Sequence, residues 1–494
     1  MVRPAIFCTA LLLCACSPPE NRDTIVFAVA TAPTVLDPRL AGDAASERTN
    51  ALLYDRLVTL DQEGRPRPAM AQWRRIGPRH YRVSLLPERS AFWDGRLPVA
   101  ADVVATYRSV LTAGLGSPHA GALSHVSSVD AISELEIDFH LTRPDPAFPA
   151  RLTIGIAPGD SITGGRLARQ PVGSGPFRFQ GWRDDGGAQL QRRRDGQTIA
   201  LVPVPDPTMR TLKLLRGEAH LLQNDLPSEL YDFLGQSQGI QLLEQAGTTF
   251  AYIGFNLDDP VLSDRRVRAA IAHAVDREAI IRHLFGGRAR TAESVLRPQH
   301  WAGTDRLEPY VYDPRLARDY LRKAGYDDRR PLVLSYKTST DPFRQRIAHV
   351  FQDQLAAVGI EMKISSYDWG TFFGDIKAGK FQLYSLAWVG VNTPDILRYA
   401  FHSDSRPPAG ANRGHYRSVS IDRLIEQAER LGPDEASVLY EEVQRKIHHD
   451  LVYLPLWYES NIVASRGLQG YAPKHDGSYL ALNSTRMLHD AVRQ

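Results

Sequence analysis

All three cysteines of this 494-residue chain, Cys8, Cys14 and Cys16, lie within its first sixteen residues. The rest of the chain therefore has no thiol with which to form a disulfide. A chain without disulfides must be stabilised by burying apolar surface, and a chain of this length can build cores large enough to do so. The sequence predicts a large globular protein that depends on packing alone.

The cysteines flank a short apolar segment, Ala5 to Ala15, which is eleven residues long. An α-helix needs about 20 apolar residues to cross a bilayer. Arg3 precedes the segment and small residues end it, which is the layout of a cleaved secretory signal. Its ending, LCAC, resembles the lipobox of bacterial lipoproteins, in which the bond before the last cysteine is cut and that cysteine carries lipid. We predict a lipoprotein signal peptide over 1–15, lipid attachment at Cys16 and a polar tether over 16–21, with an ordinary secretory signal as the alternative.

The composition is that of an ordinary globular protein. Lys and Arg total 59 against 56 Asp and Glu, giving a formal charge of +3, and 43% of the residues are hydrophobic. So balanced a charge provides no basic footprint for nucleic acid, and no second apolar run approaches membrane length. At about 150 residues per domain, the length predicts roughly three domains.

Hydrophobic periodicity indicates an α/β fold. Residues 331–336, 344–358 and 360–365 alternate strand, helix and strand, a unit that normally connects two parallel strands by a right-handed crossover. A further strand is predicted at 381–388, running into the polar loop 389–395. Ligands of open α/β sheets bind beyond the carboxyl ends of the strands, so this loop is a candidate wall of a site. One helix is predicted from Asp264 to a glycine stop at 286.

Short motifs occur in a fixed order along the chain. The most specific is YRVSLLPERSAFWDG at 81–95, where a strand runs into a turn. Others are LDP at 36–38, GSGPF at 173–177, DRRVR at 264–268, AVDRE at 274–278, YDP at 312–314 and PLWY at 455–458. Each motif is weak alone, and the ordered set is specific. The set resembles the bacterial extracellular solute-binding proteins of family 5, the oligopeptide- and dipeptide-binding components of ABC importers.

The resemblance implies a two-lobed periplasmic-binding-protein fold of the type II, cluster C-like kind, with an extra domain inserted in the N-terminal lobe. The implied segments are lobe I at 22–50, 170–252 and 470–494, the inserted domain at 51–169, and lobe II at 253–469. The implied partners are a peptide or small organic solute and the permease and ATPase subunits of an importer. We expect a monomer in the periplasm or cell envelope, anchored to the membrane by the lipid on Cys16, with no cofactor, resident metal or nucleic acid.

The predicted ligand-binding residues of lobe II follow the strand at 381–388. In peptide-binding members of the family, a Trp at this strand end is followed three residues later by an Asp that pairs with the peptide's α-ammonium. Here Trp388 is kept and Val391 stands in place of the acid. Asn392 could make a neutral hydrogen bond, and Asp395 could supply the acid or instead begin a helix. Trp388 could instead pack in the core. The departure at Val391 predicts a solute whose amino end is blocked or amide-like.

Further candidates come from three other segments. Asp43 and Ala44 match a family segment that pairs with peptide backbone, and a helix N-terminus is the alternative. Strand alternation turns one of Trp457 and Tyr458 toward the ligand and the other into the core. Asn412 and Arg413 could contact a carboxylate, but the segment around them is predicted to be a solvated loop.

Catalysis is not expected. Ser174 lies in Gly-Ser-Gly, which lacks the Gly-x-Ser-x-Gly spacing of a nucleophile elbow, and no His-Glu-x-x-His motif occurs. The histidines show no ligand spacing. The alternatives that remain open are a binder of a non-peptide organic solute or metal complex, and an envelope sensing or chaperone role without import.

Overall fold

The computed structural model describes residues 24–112, 114–162, 165–327 and 329–488. The predicted signal peptide, Cys16 and the tether lie outside these described residues. Within them, none of the helices is both long enough and apolar enough to cross a bilayer.

The structure alternates strands and helices along the chain. The strands are β1 (Thr24–Val29), β2 (Val58–Leu60), β3 (Pro66–Pro68), β4 (Ala71–Gly77), β5 (His80–Leu85), β6 (Val126–Ala131), β7 (Glu136–Leu141), β8 (Phe177–Trp182), β9 (Ala188–Arg192), β10 (Thr198–Pro203), β11 (Leu221–Gln223), β12 (Ile240–Phe255), β13 (Ala289–Thr291), β14 (Leu332–Ser339), β15 (Ile360–Tyr367), β16 (Leu383–Trp388), β17 (Tyr453–Arg466), β18 (Leu468–Gln469) and β19 (Arg486–Met487). The α-helices are α1 (Ala44–Leu53), α2 (Ala100–Leu111), α3 (Gly159–Ile162), α4 (Pro207–Arg216), α5 (Ser228–Gly235), α6 (Arg265–Ala274), α7 (Arg277–Leu284), α8 (Pro314–Lys323), α9 (Pro342–Ala356), α10 (Trp369–Lys377), α11 (Asp395–Phe401), α12 (Val419–Ala428) and α13 (Pro433–Asp450).

One large sheet runs through both predicted lobes. Its strand order is β15-β14-β16-β12-β17-β11-β1-β10-β9-β8, with β13 also paired to β17. The two long strands β12 and β17 are antiparallel partners and connect the two halves. Their register shifts between Gln245 and Thr249, and a Cβ added at Gly247 would meet the backbone oxygen of Glu459 at 2.2 Å. The strands approach this closely only because residue 247 has no side chain.

The inserted domain has its own sheet and core. Strands β4, β5, β7 and β6 form an antiparallel sheet in that order, and α2 packs on one face of it. The predicted alternation of β5 is confirmed, since Tyr81, Val83 and Leu85 are buried while the residues between them are half-buried. The other face of this small sheet therefore carries the polar side chains.

The predicted β-α-β unit is confirmed in lobe II. Strands β14 and β15 are parallel, with Leu332 opposite Ile360, and α9 connects them. The prediction of a single helix from Asp264 to residue 286 is wrong, because α6 ends at Ala274 and α7 begins after Asp276. The carboxylate of Asp276 accepts a hydrogen bond from the backbone of Ala279 at 2.8 Å. An Asp side chain that caps the N-terminus of a new helix in this way favours a non-helical backbone at its own position, so the preceding helix ends before it.

The lobe II sheet is covered on both faces. Along β12, Ala251 and Ile253 point into one core, which contains α6, α7 and α9. Phe250 and Tyr252 point into the other core, which contains α10 to α13. This alternation sends aromatic side chains to the second face, where the predicted site residues lie.

Candidate functional site

Trp388 is the last residue of β16 and lies opposite Phe250 of β12. Its ring stacks on Tyr252, with 6.2 Å between centroids and 13° between planes, and the side chain is half-buried. Its indole Nε1 is buried and has no hydrogen-bond acceptor among the described residues. Trp388 thus packs on the second core of lobe II and still keeps some exposed surface.

Arg413 lies against the face of Trp388. Its guanidinium carbon is 4.7 Å from the Trp388 ring centroid and 5.3 Å from that of Phe373, and Nη1 donates to the hydroxyl of Tyr252 at 3.1 Å. Arg413 is 8% exposed, so the prediction of a solvated loop here is wrong. A guanidinium can lie flat on aromatic rings inside a protein, and a polar loop composition does not reveal this.

Asn412, beside it, is also buried. Its side-chain amide donates to the backbone oxygens of His402 at 3.1 Å and Tyr416 at 2.8 Å. These bonds hold the loop against the body of lobe II and place Arg413 under Trp388.

The loop after β16 is closed by the inserted domain. The backbone oxygen of Asn392 accepts from Nε2 of His300 at 3.1 Å, and a Cβ added at Gly64 would lie 2.6 Å from that oxygen. Burial lowers the pKa of His300 to about 4, against the opposing effect of this hydrogen bond. Val391, half-buried, packs against the second core. The position that carries the acid in peptide-binding members, Val391, is therefore uncharged here. The backbone oxygen of the next residue, Asn392, is covered by His300 and Gly64.

Asp395 begins α11 and points at the inserted domain. Its carboxylate forms an ion pair with Nη1 of Arg151 and accepts from the hydroxyl of Thr393 at 3.3 Å. Arg151 also donates through Nε to Asp145 at 2.7 Å. Burial raises the pKa of Asp395, while the attraction of Arg151 opposes the rise. The acid nearest to Val391 along the chain is thus already engaged.

In lobe I, the predicted backbone-pairing segment forms a helix N-terminus. Asp43 is the N-cap of α1, and its carboxylate accepts from the backbone of Ser46 at 2.8 Å and from the hydroxyl of Thr34 at 3.1 Å. Ala44 is the first residue of the helix and is exposed. Ala44 therefore offers a ligand backbone groups, while the Asp43 side chain is occupied by the cap.

Trp457 and Tyr458 point to opposite faces of β17, as their alternation predicts. Trp457 is 1% exposed and packs against Phe285 with 5.0 Å between centroids. Tyr458 is 4% exposed, and its hydroxyl donates to the backbone oxygen of Leu296 at 3.0 Å. Both are core residues, Trp457 in the first core of lobe II and Tyr458 in the second, so neither has appreciable surface to offer a ligand.

Several charged residues at this junction were missed by the sequence reasoning. They are Arg48 on α1, Asp225 after β11, Arg290 on β13, Arg297 after it, and Arg344 on α9. They come from distant parts of the chain and no motif connects them. Only the Asn-Asp pair at 224–225 carried a local signal, because both residue types tolerate the left-handed backbone conformation of a tight turn.

Asp225 is held in place by its backbone. Its φ is 58° and that of Asn224 is 61°, so two successive residues are left-handed. The Asn224 side chain accepts from the backbone of Ile462 at 2.8 Å. The carboxylate of Asp225 is exposed and forms no hydrogen bond or ion pair with any residue that the structure describes. Loss of water around the carboxylate raises its pKa, and the charges of Arg48, Arg210 and Arg344 oppose the rise.

A cavity of about 240 Å³ lies between the inserted domain and lobe II. It is lined by residues 64–67, 146, 147 and 150 of the insert and by residues 301, 393–395 and 433 of lobe II. Of the predicted ligand-binding residues, Asp395 lines it. A larger groove of about 560 Å³, around Trp93 and Trp182, lies elsewhere, along lobe I and the insert. None of the predicted ligand-binding residues lines this groove.

One group of metal-type ligands comes together within the described ranges. Ligand atoms of His80, Asp138 and His140, on the small sheet of the insert, lie within 4.8 Å of one another. The carboxylate of Asp138, however, accepts from Arg82 at 2.8 and 2.9 Å and lies 2.9 Å from His80. The acid is therefore already saturated by an ion-pair network.

Comparison with known proteins gives a consistent result. The model of the bacterial extracellular solute-binding proteins, family 5 Middle, matches residues 86–407. The dipeptide-binding protein of Escherichia coli is 26% identical over 358 residues, which cover 68% of this chain and 66% of that protein, just under two thirds of its length. The oligopeptide-binding protein AppA of Bacillus subtilis is 24% identical over 498 residues, covering 93% of this chain and 91% of that protein.

Solved structures agree in fold. AppA in complex with a nonapeptide superposes with a TM-score of 0.82 at 22% identity, covering 94% of this chain and 98% of that one. NikA from Brucella suis, in complex with Fe(III)-EDTA, gives 0.84 at 20% identity, covering 93% and 99%. These likenesses confirm the predicted two-lobed α/β fold.

Proposed function

The chain belongs to the bacterial extracellular solute-binding proteins of family 5, and from this membership we propose that it captures a short peptide or peptide-like solute for an ABC importer. The solute binds between the two lobes, which close on it, and the importer's permease and ATPase subunits take it from the closed form. The protein itself carries out no catalysis. Family membership is the observation that carries the proposal.

The geometry of the hinge supports capture by closure. Lobes I and II are connected through β12 and β17, which cross with a register shift at Gly247. Two strands with an irregular crossing can bend there while the packed cores on either side stay rigid. A ligand contacting both sides is bound more tightly by the closed form, which is what an importer must recognise.

The proposed site residues are those of the predicted set that reach the junction. Trp388 offers a partly exposed ring, Val391 and Asn392 line the loop after β16, and Asp395 lines the 240 Å³ cavity. In lobe I, Asp43 and Ala44 present a helix N-terminus. Tyr458 lies at the hinge, and Trp457 supports it from the opposite face of the strand.

The proposal includes the membrane anchor. Cys16 carries the lipid after cleavage of residues 1–15, and the tether holds the monomeric protein at the membrane on the periplasmic or cell-envelope side. Cys16→Ser is expected to release the protein into the soluble fraction with ligand binding unchanged. Retention of this variant in the membrane pellet would contradict the anchor.

The test of capture is native mass spectrometry of protein purified from its own host. A co-purified mass that fragments as a peptide or an amide-containing solute is the expected result. Titration calorimetry with free and N-acetylated peptides then measures the affinity. A co-purified metal complex, such as the one bound by NikA, would replace the peptide proposal with the non-peptide alternative.

A further inference from the structure

Neither of the two candidate positions for an acid after β16 offers a free one. Residue 391 is valine, and Asp395 is paired with Arg151 and Thr393. Breaking a partly buried ion pair to bind a ligand amine would leave the Arg151 side chain, 7% exposed, short of one partner. Removing one member of such a pair costs several kcal/mol. A ligand ammonium therefore has no ready partner on this wall.

The same wall has a buried positive charge. Arg413 lies against Trp388 and Phe373, and no carboxylate of the described residues lies within 4.0 Å of it. Its one side-chain hydrogen bond is to the neutral hydroxyl of Tyr252. A charge that is not neutralised and is mostly removed from water acts over a longer distance than an exposed one. The exposed part of Trp388 therefore lies in a positive potential.

Two more arginines flank Tyr458 at the hinge. The guanidinium carbon of Arg290 lies 5.9 Å from the Tyr458 ring centroid, and its Nη2 donates to the backbone oxygen of Gly247 at 3.4 Å. The hydroxyl of Tyr458 donates to the backbone oxygen of Leu296, the residue before Arg297. Tyr458 therefore contacts Arg290 with its ring and the backbone beside Arg297 with its hydroxyl.

Neither arginine is ion-paired within the described part of the chain. Arg297 donates to the backbone oxygen of Gln62 in the insert at 3.0 Å, and Arg290 is exposed. Neither forms an ion pair within 4.0 Å with a carboxylate of the described residues. Burial lowers the pKa of Arg297, and the nearby charge of Arg290 lowers it further. An anion bound between the two guanidinium groups would relieve this repulsion.

Acids lie in the same region. Glu459 is paired with Arg344 at 3.3 Å, and Glu293 with Arg277 at 2.8 Å. The charge of Glu63 opposes the lowering of the Arg297 pKa, but no ion pair within 4.0 Å joins the two. Asp225 is exposed across the junction, and Arg48 and Arg344 oppose the rise of its pKa. Arg290 and Arg297 are therefore the guanidinium groups beside Tyr458 that no carboxylate of the described residues pairs with.

We infer that the cleft binds a ligand carboxylate between Arg290 and Arg297, without requiring a ligand ammonium. The inference rests on the proposed function and specifies its substrate class as an N-acylated peptide or a comparable amide-containing carboxylate. Arginine presents two parallel donors that match a carboxylate, so the pair suits this group in geometry as well as in charge.

The test uses four probes that differ only in end charge. They are N-acetyl-trialanine, its C-terminal amide, free trialanine and trialanine amide, each titrated into the full-length protein by calorimetry. We expect N-acetyl-trialanine to bind tightest. Its amide should bind at least about ten-fold more weakly, because it loses a charge-assisted hydrogen bond. The affinity for the acid is also expected to fall as salt rises, whereas that for the neutral amide stays constant.

The double variant Arg290→Gln/Arg297→Gln is expected to bind the acid and its amide equally. Arg282→Gln is the matched control, since Arg282 is an exposed arginine in the last turn of α7 of the same lobe. Circular dichroism and the melting temperature establish that the double variant folds, and Arg290→Lys/Arg297→Lys, which keeps the charge, should retain part of the preference.

Two kinds of failure are distinguishable. If the probes bind but the acid is not preferred, or trialanine amide binds tightest, the inference is wrong and the proposed function stands. If none of the four probes binds and native mass spectrometry finds no peptide-like solute, the proposed function fails and the inference falls with it.

Discussion

Asp395 of lobe II is ion-paired with Arg151 of the inserted domain, so that the acid nearest to Val391 along the chain connects two domains instead of facing open solvent. Arg151 is 7% exposed in its side chain and holds Asp145 at the same time. Three charged groups from two domains therefore form one network beside the loop that follows β16. The network makes the contact between insert and lobe II depend on charge.

Replacing Asp395 tests this contact. Asp395→Asn is expected to lower the free energy of unfolding by about 1 to 3 kcal/mol, less than for a fully isolated charge because Asp145 still neutralises Arg151. Urea denaturation measures the change. Asp404→Asn is the control, since the Asp404 side chain is 91% exposed and its carboxylate lies 4.0 Å from the imidazole of His402. A stability unchanged in Asp395→Asn would mean that the ion pair contributes nothing to the contact.

His300 makes the same region sensitive to acid. Burial lowers its pKa from 6.5 to about 4 in the folded protein, so the unfolded chain binds the proton more readily. Stability is then full above about pH 6.5 and is lost as the pH falls toward 4, by about 3 kcal/mol from this residue. The prediction is that His300→Gln flattens the dependence of unfolding free energy on pH between 6.5 and 4.

The measurement is urea denaturation at half-unit steps of pH across that interval. His349→Gln, at an exposed position on α9, should leave the pH dependence of the parent protein in place. The prediction is wrong if the unfolding free energy of His300→Gln depends on pH as steeply as that of the parent protein and of His349→Gln.

A side chain introduced at Gly64 would push the insert away from lobe II. Its φ is +79°, and an added Cβ would lie 2.3 Å from Nε2 of His300 and 2.6 Å from the backbone oxygen of Asn392. Gly64→Ala is expected to cost about 2 to 4 kcal/mol, from backbone strain and from the overlap together. Gly186→Ala separates the two effects, because Gly186 has a φ of +81° and nothing within 4 Å of its added Cβ.

For that control we expect a loss of about 1 kcal/mol, from the backbone alone. Thermal melts of both variants give the comparison. Equal losses would mean that the insert moves aside freely and that its contact with His300 is loose.

Arg413 provides a test of a buried charge that lacks an acid. Arg413→Ala should lower the free energy of unfolding by about 2 to 4 kcal/mol, because the rings of Trp388 and Phe373 lose their contact and a cavity is left. Arg413→Met keeps much of the volume and removes the unneutralised charge, so its cost should be below about 1.5 kcal/mol. Chemical denaturation distinguishes the two. If Arg413→Met destabilises the protein as much as Arg413→Ala, the prediction is wrong, and the guanidinium charge itself stabilises the fold.

The elements were predictable wherever one local rule dominated. Strand β5 follows its alternation of buried and half-buried residues, and the β14–α9–β15 unit follows from periodicity with a glycine stop at 359. The break between α6 and α7 was missed because Asp276 can cap a new helix only if the chain turns there. Packing of both helices on the lobe II sheet decides that turn, and the local pattern does not contain it.

The site was predictable in its position and not in its electrostatics. Trp388 and Val391 are at the end of β16, where the strand pattern and the family resemblance place them. Whether an acid is free or an arginine is neutralised depends on partners far away in the chain, such as Arg151 for Asp395 and Tyr252 for Arg413. Sequence spacing carries no information about such pairs.

The sequence by itself determined the class of this protein. Cysteines confined to the first sixteen residues require a fold stabilised by packing alone, and the ordered motifs identify the family. Only the tertiary structure decided which charges the cleft keeps. Asp395 is neutralised across a domain boundary, whereas Arg290, Arg297 and Arg413 have no carboxylate of the described residues within 4.0 Å. The physical reason is that apolar periodicity is a property of neighbouring residues in the sequence. The interaction between charges depends instead on distances and burial, which only the folded chain determines.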